Sequence, residues 1–299
     1  MAEIKTGVGR RAWGVVLALL VLLAGGCSRS DRIVVGSKNF TESDLLAELV
    51  AQQIERRTRL RVERRLHLGG TIVCHEAITA GKIDLYVEYT GTAYTAILQH
   101  PPIFNPDSVY LLVAEEYEQR FGLTWTAPLG FENKFALLVR RADARRHGLR
   151  RISDLARVAP RWRAGFGYEF LDRADGYPGL ARAYGLRFAA PPAGMDLGLT
   201  YRALAEGKVD VIAGNSTDGL IAELDLQVLE DDRRYFPPYH AAPVVRTAAL
   251  ERYEGLAPAL QELGGAMTND EMRRLNSLAD VERKDLSAIA RDWLAVNVP

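Results

Sequence analysis

Five side chains in this chain combine two chemistries: rings that attract a cation, and cations that grip an acid. Tyr89, Phe135 and Tyr239 offer aromatic faces, while Lys38 and Arg173 carry positive charge. An aromatic face attracts a quaternary ammonium through its negative quadrupole, by about 0.5–2 kcal/mol per good contact. A quaternary nitrogen has no N–H to donate, so a box of rings suits it better than carboxylates alone. Lys38 and Arg173 could then hold a carboxylate, the guanidinium by a two-point grip. Together these groups describe a site for a small zwitterionic betaine. The chain has twelve tyrosines, and composition fits scattered core and surface rings equally well.

No catalytic or metal-binding constellation accompanies them. His75-Glu76 lacks the second histidine, four residues after the first, that a zinc-protease helix needs. Cys74 and His75 are neighbours on a predicted helix and do not face each other. There is no Gly-x-Ser-x-Gly elbow and no phosphate-cradling Gly-x-x-x-x-Gly-Lys. Asp231-Asp232 reads as a solvated acidic pair ahead of a proline loop. No enzyme activity, cofactor or metal is expected.

The elements that must position the rings and cations repeat along the chain. Residues 77–90 (AITAGKIDLYVEYT) and 203–216 (ALAEGKVDVIAGNS) each read as a helix end, Gly-Lys, an acid, an apolar strand and a polar loop. Their offset of 126 residues is far longer than a solenoid period and is about the size of one α/β lobe. Open α/β sheets bind ligands at the carboxyl ends of their strands, so the loops with Tyr89, Thr90 and Thr92, and with Asn215, Ser216 and Thr217, point to a cleft.

The first segment follows the same logic. Residues 33–36 predict a strand, Thr41 caps a helix with Asp44 in its first turn, and residues 60–66, 71–80 and 83–87 predict strand, helix, strand. That order argues for a parallel sheet flanked by helices. Helical patterns follow at 91–99 and 107–121, with apolar segments at 123–129 and 135–139. Strand and helix alternate again: helices at 152–158 and 197–206, strands at 163–166, 209–213 and 226–229. Residues 248–263, 269–279 and 284–296 predict helices. Gly130 to Asn133 and Pro237-Pro238 mark two crossings. Lobe I is expected to comprise 28–131 and 238–299, and lobe II 132–237.

Residues 1–27 predict a targeting leader. Lys5, Arg10 and Arg11 precede an apolar run of about a dozen residues, short of the roughly 20 a membrane span needs. The run ends in Leu23-Ala24-Gly25-Gly26-Cys27, which resembles a bacterial lipobox, with Ala24 where leucine is usual. Lipidation of Cys27 would tether the protein to the outer face of a membrane. Past the leader only Cys74 remains, so no intramolecular disulfide is possible. The whole chain has 38 basic and 38 acidic residues. Loss of Lys5, Arg10, Arg11 and Glu3 with the leader leaves a slight negative balance, which argues against a nucleic-acid partner.

Longer motifs carry a resemblance. VVGSKNFTES at 34–43, LGGTIVCHEA at 68–77, IDLYVEYTGTAY at 83–94 and LGFENKFALLVR at 129–140 occur in order. DRADGYPGL at 172–180, VDVIAGNSTDG at 209–219, LEDDRRYFPPY at 229–239 and VERKD at 281–285 follow. With these the chain resembles the substrate-binding proteins of osmoprotectant ABC transporters, the ProX-like and OpuC-like binders of glycine betaine, proline betaine and choline.

The resemblance implies a type II periplasmic-binding fold, α/β, with two lobes of mostly parallel sheet and the ligand between them. It implies Lys38, Arg173 and Thr92 at a ligand carboxylate, and Tyr89 and Tyr239 as cage rings. Asn133 would offer a backbone carbonyl. Phe135 stands where the family has tyrosine and keeps the ring. Asn215 stands where a further cage tyrosine is expected, which points to weaker betaine binding or to another ligand, such as ergothioneine, that uses the amide. The implied partners are a quaternary-ammonium solute, a separate ABC permease and ATPase, and the membrane through the anchor; a monomer is expected. A sensory module on the same fold, or a binder that has lost its ligand, are the alternatives.

Overall fold

The computed structural model of this chain describes residues 32–298 together with Ala2. The expected leader, including Cys27, otherwise lies outside the described residues. Among the described residues ten strands form two sheets: β1 (Arg32–Gly36), β2 (Arg61–Arg65), β3 (Leu85–Tyr89), β4 (Leu123–Trp125), β5 (Phe135–Arg140), β6 (Ala164–Gly167), β7 (Ala193–Met195), β8 (Val211–Asn215), β9 (Leu226–Val228) and β10 (Ala241–Arg246). The first sheet runs β2-β1-β3-β10-β4 and the second β7-β6-β8-β5-β9. The two orders correspond strand for strand. β3 and β8, the strands of the sequence repeat, hold the central position in each.

The sheets are mixed rather than mostly parallel. β1 pairs with β3, and β6 with both β7 and β8, in parallel. β10 runs antiparallel to β3 and β4, and β5 antiparallel to β8 and β9. The reason lies in the connections. β5 and β10 are the strands by which the chain enters each sheet from the other one, so each starts at the edge where its neighbour ends: Ala241 pairs with Tyr89, and Phe135 with Asn215. The two crossing segments lie side by side through an antiparallel bridge between Glu132 and His240 and a bond from Asn133 N to the Tyr239 carbonyl at 3.0 Å. Gly130 in the first crossing has φ +109°, a conformation that favours glycine.

Among the helices that bear on the site are α1 (Thr41–Arg57), α2 (Thr71–Thr79), α3 (Pro106–Phe121), α4 (Tyr168–Asp172), α5 (Tyr177–Tyr184), α6 (Leu197–Ala205), α7 (Leu256–Gln261), α8 (Asn269–Asp280) and α9 (Leu286–Asn297). Leu45, Leu49, Val50 and Ile54 give α1 an apolar face at helical spacing, buried in one cluster with Ile289, Trp293 and Leu294 of α9. Thr41 does not cap α1. Phe40 holds that position without a side-chain bond, and the Thr41 hydroxyl donates to Asp280 at 2.7 Å instead.

The expected helix at 248–263 is broken. It forms Thr247–Arg252 and then α7, separated by Gly255 at φ +83°. Residues 152–158 are helical only to Leu155. Residues 91–99 contain a short helical turn, Thr90–Thr92, that widens into a π-turn over Ala93–Ile97. No helix among the described residues is long and apolar enough to cross a membrane.

Candidate ligand-binding site

Strand ends bring the anticipated residues together. β3 and β8 extend two residues further than the sequence pattern suggests, so Tyr89 and Asn215 are the last residues of their strands rather than loop residues. Phe135 opens β5 opposite Asn215, and Tyr239 ends the second crossing. Lys38, Tyr89, Thr92, Asn133, Phe135, Arg173, Asn215 and Tyr239 all line one cavity of about 120 Å³ between the sheets. One water needs some 10–15 Å³ by such a measure, roughly, so the space suits a small organic solute.

The rings exceed those read from sequence. Phe40, Tyr168 and Phe170 also line the cavity, so six aromatic side chains face it. Phe40 stacks on Tyr89, with centroids 6.4 Å apart and planes at 30°. Phe135 packs 4.9 Å from Phe170 and meets Tyr239 edge to face at 6.2 Å. Phe170 thus adds a ring to the cavity that Asn215 also lines. Only an aromatic in the segment after β6 could have signalled it.

Both cations are compensated by the protein itself. Lys38 is 3 % exposed; its Nζ donates to Glu88 Oε1 at 2.5 Å and to Thr71 Oγ1 at 3.0 Å, and lies 5.1 Å from the Tyr89 centroid. Glu88 is fully buried and also accepts from the Tyr89 backbone N–H at 2.7 Å. Arg173 donates from Nε and Nη2 to the two oxygens of Asp175, at 2.9 and 2.6 Å, and from Nη1 to Glu169 at 3.0 Å. Its guanidinium lies 5.2 Å from the Phe135 centroid. Burial opposes the charge on Arg173, but the Asp175 bond and charge outweigh it and raise its pKa. Burial likewise opposes ionisation of Asp175, which Arg173 and Thr95 outweigh, lowering its pKa.

Glu42, in the first turn of α1, is a hub that the sequence did not reveal. Its carboxylate is 2 % exposed. Oε1 accepts from Tyr89 Oη at 2.6 Å and Asn133 Nδ2 at 2.8 Å; Oε2 accepts from Thr217 Oγ1 at 2.5 Å and Asn276 Nδ2 at 2.7 Å. One carboxylate therefore ties a cavity ring, the first crossing, the loop after β8 and α8. Asn215 donates its backbone N–H and its amide to Asp218, at 2.8 and 3.4 Å. Burial and the nearby charges of Glu42 and Asp280 push the Asp218 carboxyl up to about 7, against the bonds from Tyr201 and Asn215.

Two buried polar atoms of residues that line the cavity lack good partners. Asn133 Oδ1 is buried without one, and Tyr239 Oη has none of good geometry, Thr95 lying near enough to affect its titration. Buried polar groups are normally paired, so both are places where a bound molecule could contribute a bond. A wider cavity of about 1160 Å³ adjoins the first; Glu169 and Arg173 line both.

The family model for the substrate-binding domain of ABC-type glycine betaine transport systems matches residues 31–296. The chain belongs to this family. It is 34% identical over 276 residues to the carnitine transport binding protein OpuCC of Listeria monocytogenes, covering 91% of this chain and 89% of that protein. It is 32% identical over 281 residues to the ergothioneine transport permease/ergothioneine binding protein EgtU of Helicobacter pylori, covering 94% of this chain but only 50% of that protein. A solved glycine betaine/carnitine/choline ABC transporter structure superposes with a TM-score of 0.72 at 32% identity, over 88% of this chain and 97% of that one. The two-lobed α/β architecture and the substrate-binding role follow from membership. The cavity between the sheets is this member's candidate site.

Proposed function

We propose that this protein captures a small quaternary-ammonium solute of the glycine betaine, proline betaine or choline type outside the membrane and delivers it to a separate ABC permease and ATPase. The observation that carries the reading is the six-ring cavity at the crossing between two sheets, with Tyr89 at the end of one central strand and Phe135 beside the end of the other. Rings on several sides of one small space fit a trimethylammonium group. Residues 28–131 with 238–299, and 132–237, would act as two lobes that a bridging ligand draws together by shifting an open–closed equilibrium. Cys27, lipidated, would hold the protein at the membrane as a monomer.

Thermal unfolding with glycine betaine, choline, carnitine and ergothioneine tests the reading. A solute at 100 times its dissociation constant adds about 2.7 kcal/mol of stability, so the melting temperature should rise for at least one small quaternary ammonium. A rise with ergothioneine alone would favour the second reading, which rests on Asn215 at the cavity wall and on the similarity to the ergothioneine-binding relative. No rise with any of the four would remove both.

A further inference from the structure

The acids around the cavity differ in what balances their charge. Glu88 is paired with Lys38, and Glu169 and Asp175 with Arg173. Glu42 is held otherwise. Its four bonds come from the Tyr89 and Thr217 hydroxyls and the Asn133 and Asn276 amides, all of them neutral groups, and among the described residues no cation pairs with it. Burying a charge without a counter-charge is costly, and a cation held nearby would lessen that cost. Two of the four donors, Tyr89 and Asn133, line the cavity, whereas Glu42 itself stands outside its lining. The Tyr89 hydroxyl donates to Oε1 at 2.6 Å, as short as charge-assisted O–H bonds usually are. Burial, then the Glu42 charge and its bond, raise the Tyr89 pKa well above a tyrosine's ordinary value, so the phenol keeps its proton as the donor. A phenol that donates to an anion gains electron density in its ring, and a richer ring face attracts a cation more strongly. The Lys38 ammonium, 5.1 Å from the same ring centroid, is already bonded to Glu88.

We propose that Glu42 is a positioning residue for cation recognition: through the Tyr89 hydroxyl it fixes that ring at the cavity wall and enriches its face with electron density, and so raises the preference for a positively charged ligand over a neutral one of the same shape. This role rests on the reading of the cavity as a quaternary-ammonium site. Glu42 touches no ligand; it acts from behind the ring. The same carboxylate also bonds Asn133 in the first crossing and Thr217 after β8, so the ring it holds is set relative to both sheets. A variant that only loosened this packing would weaken charged and neutral ligands alike, whereas loss of the carboxylate's charge weakens the charged ligand more.

A double-mutant cycle of Glu42→Gln and Tyr89→Phe, read by calorimetric titration, tests this. Choline is titrated directly, and its neutral isostere 3,3-dimethylbutan-1-ol by competition with choline. Glu42→Gln keeps the size and removes the charge, and should lower the choline-to-isostere affinity ratio by about threefold, a fraction of one ring contact. Tyr89→Phe keeps the ring and removes the hydroxyl, and should lower the ratio similarly. The double variant should show no further fall, because either change alone breaks the link. If Glu42→Gln fails to fold, Tyr89→Phe decides alone. Choline bound by the wild type with the ratio unchanged in the single variants, or with a second full loss in the double variant, would overturn the role of Glu42 while leaving the quaternary-ammonium reading intact. No choline binding by the wild type would overturn that reading and the role of Glu42 with it.

Discussion

Four donors converge on the two oxygens of Glu42, from residues 47, 91, 175 and 234 positions away in sequence. Glutamine at 42 would turn one acceptor into a donor facing groups that already donate. Leaving buried donors unsatisfied costs about 1–3 kcal/mol, so Glu42→Gln should lower the urea-unfolding free energy by that order. An unchanged midpoint and slope would show that the hub is not structural. Lys38 carries a similar warning. Removing one member of a buried pair costs about 3–5 kcal/mol, so loss of binding in a Lys38 variant would partly report the stranded Glu88. Each of the eight anticipated residues, which line one cavity, sits in a short local motif that marks it in the sequence. Glu42, Glu169 and Phe170 lay inside or beside those motifs but went unread, because their roles depend on partners far along the chain.

Two strands with nearly the same sequence pattern hold the same central place in two sheets of the same order. The repeat at 77–90 and 203–216 was therefore a true sign of two related halves. Strand direction was not legible, because β5 and β10 look like any apolar strand until their pairing shows which edge they enter from. The turn after β3 carries a further constraint. A Cβ at Gly91 would lie 2.6 Å from the Pro238 carbonyl oxygen and 2.9 Å from the Tyr239 ring, so this turn packs directly under a cavity wall. Gly91→Ala should push Tyr239 from its place and weaken quaternary-ammonium binding by about tenfold, or about 1.4 kcal/mol, with the far-UV circular dichroism retained. Binding at wild-type strength would mean that the Tyr239 ring contributes little to the site.

At the scale of the molecule, the two halves touch across the cleft through Thr71 with Glu169 and through Thr95 with Asp175, at 3.3 and 2.5 Å, and near the crossings through Glu42. Asp218 gives this assembly a pH dependence. Its folded-state pKa of about 7 exceeds the unfolded value of about 3.9, so between these values the folded protein keeps a proton that the unfolded chain has lost. This term stabilises the fold as pH falls from about 7 toward about 4 and is lost as pH rises through 7. The melting temperature should therefore be higher at mildly acidic than at mildly alkaline pH, with a smaller difference in Asp218→Asn. The same difference in that variant would assign the effect elsewhere.

If the rings recognise positive charge rather than shape, removing the charge at constant shape must cost affinity. Calorimetric comparison of choline with 3,3-dimethylbutan-1-ol, its neutral carbon isostere, isolates that charge. Measurable choline binding is expected, with a loss of about tenfold or more for the isostere, since several ring contacts of about 0.5–2 kcal/mol each depend on the charge. Equal affinity for the two, or no affinity for choline or any other quaternary ammonium, would contradict it.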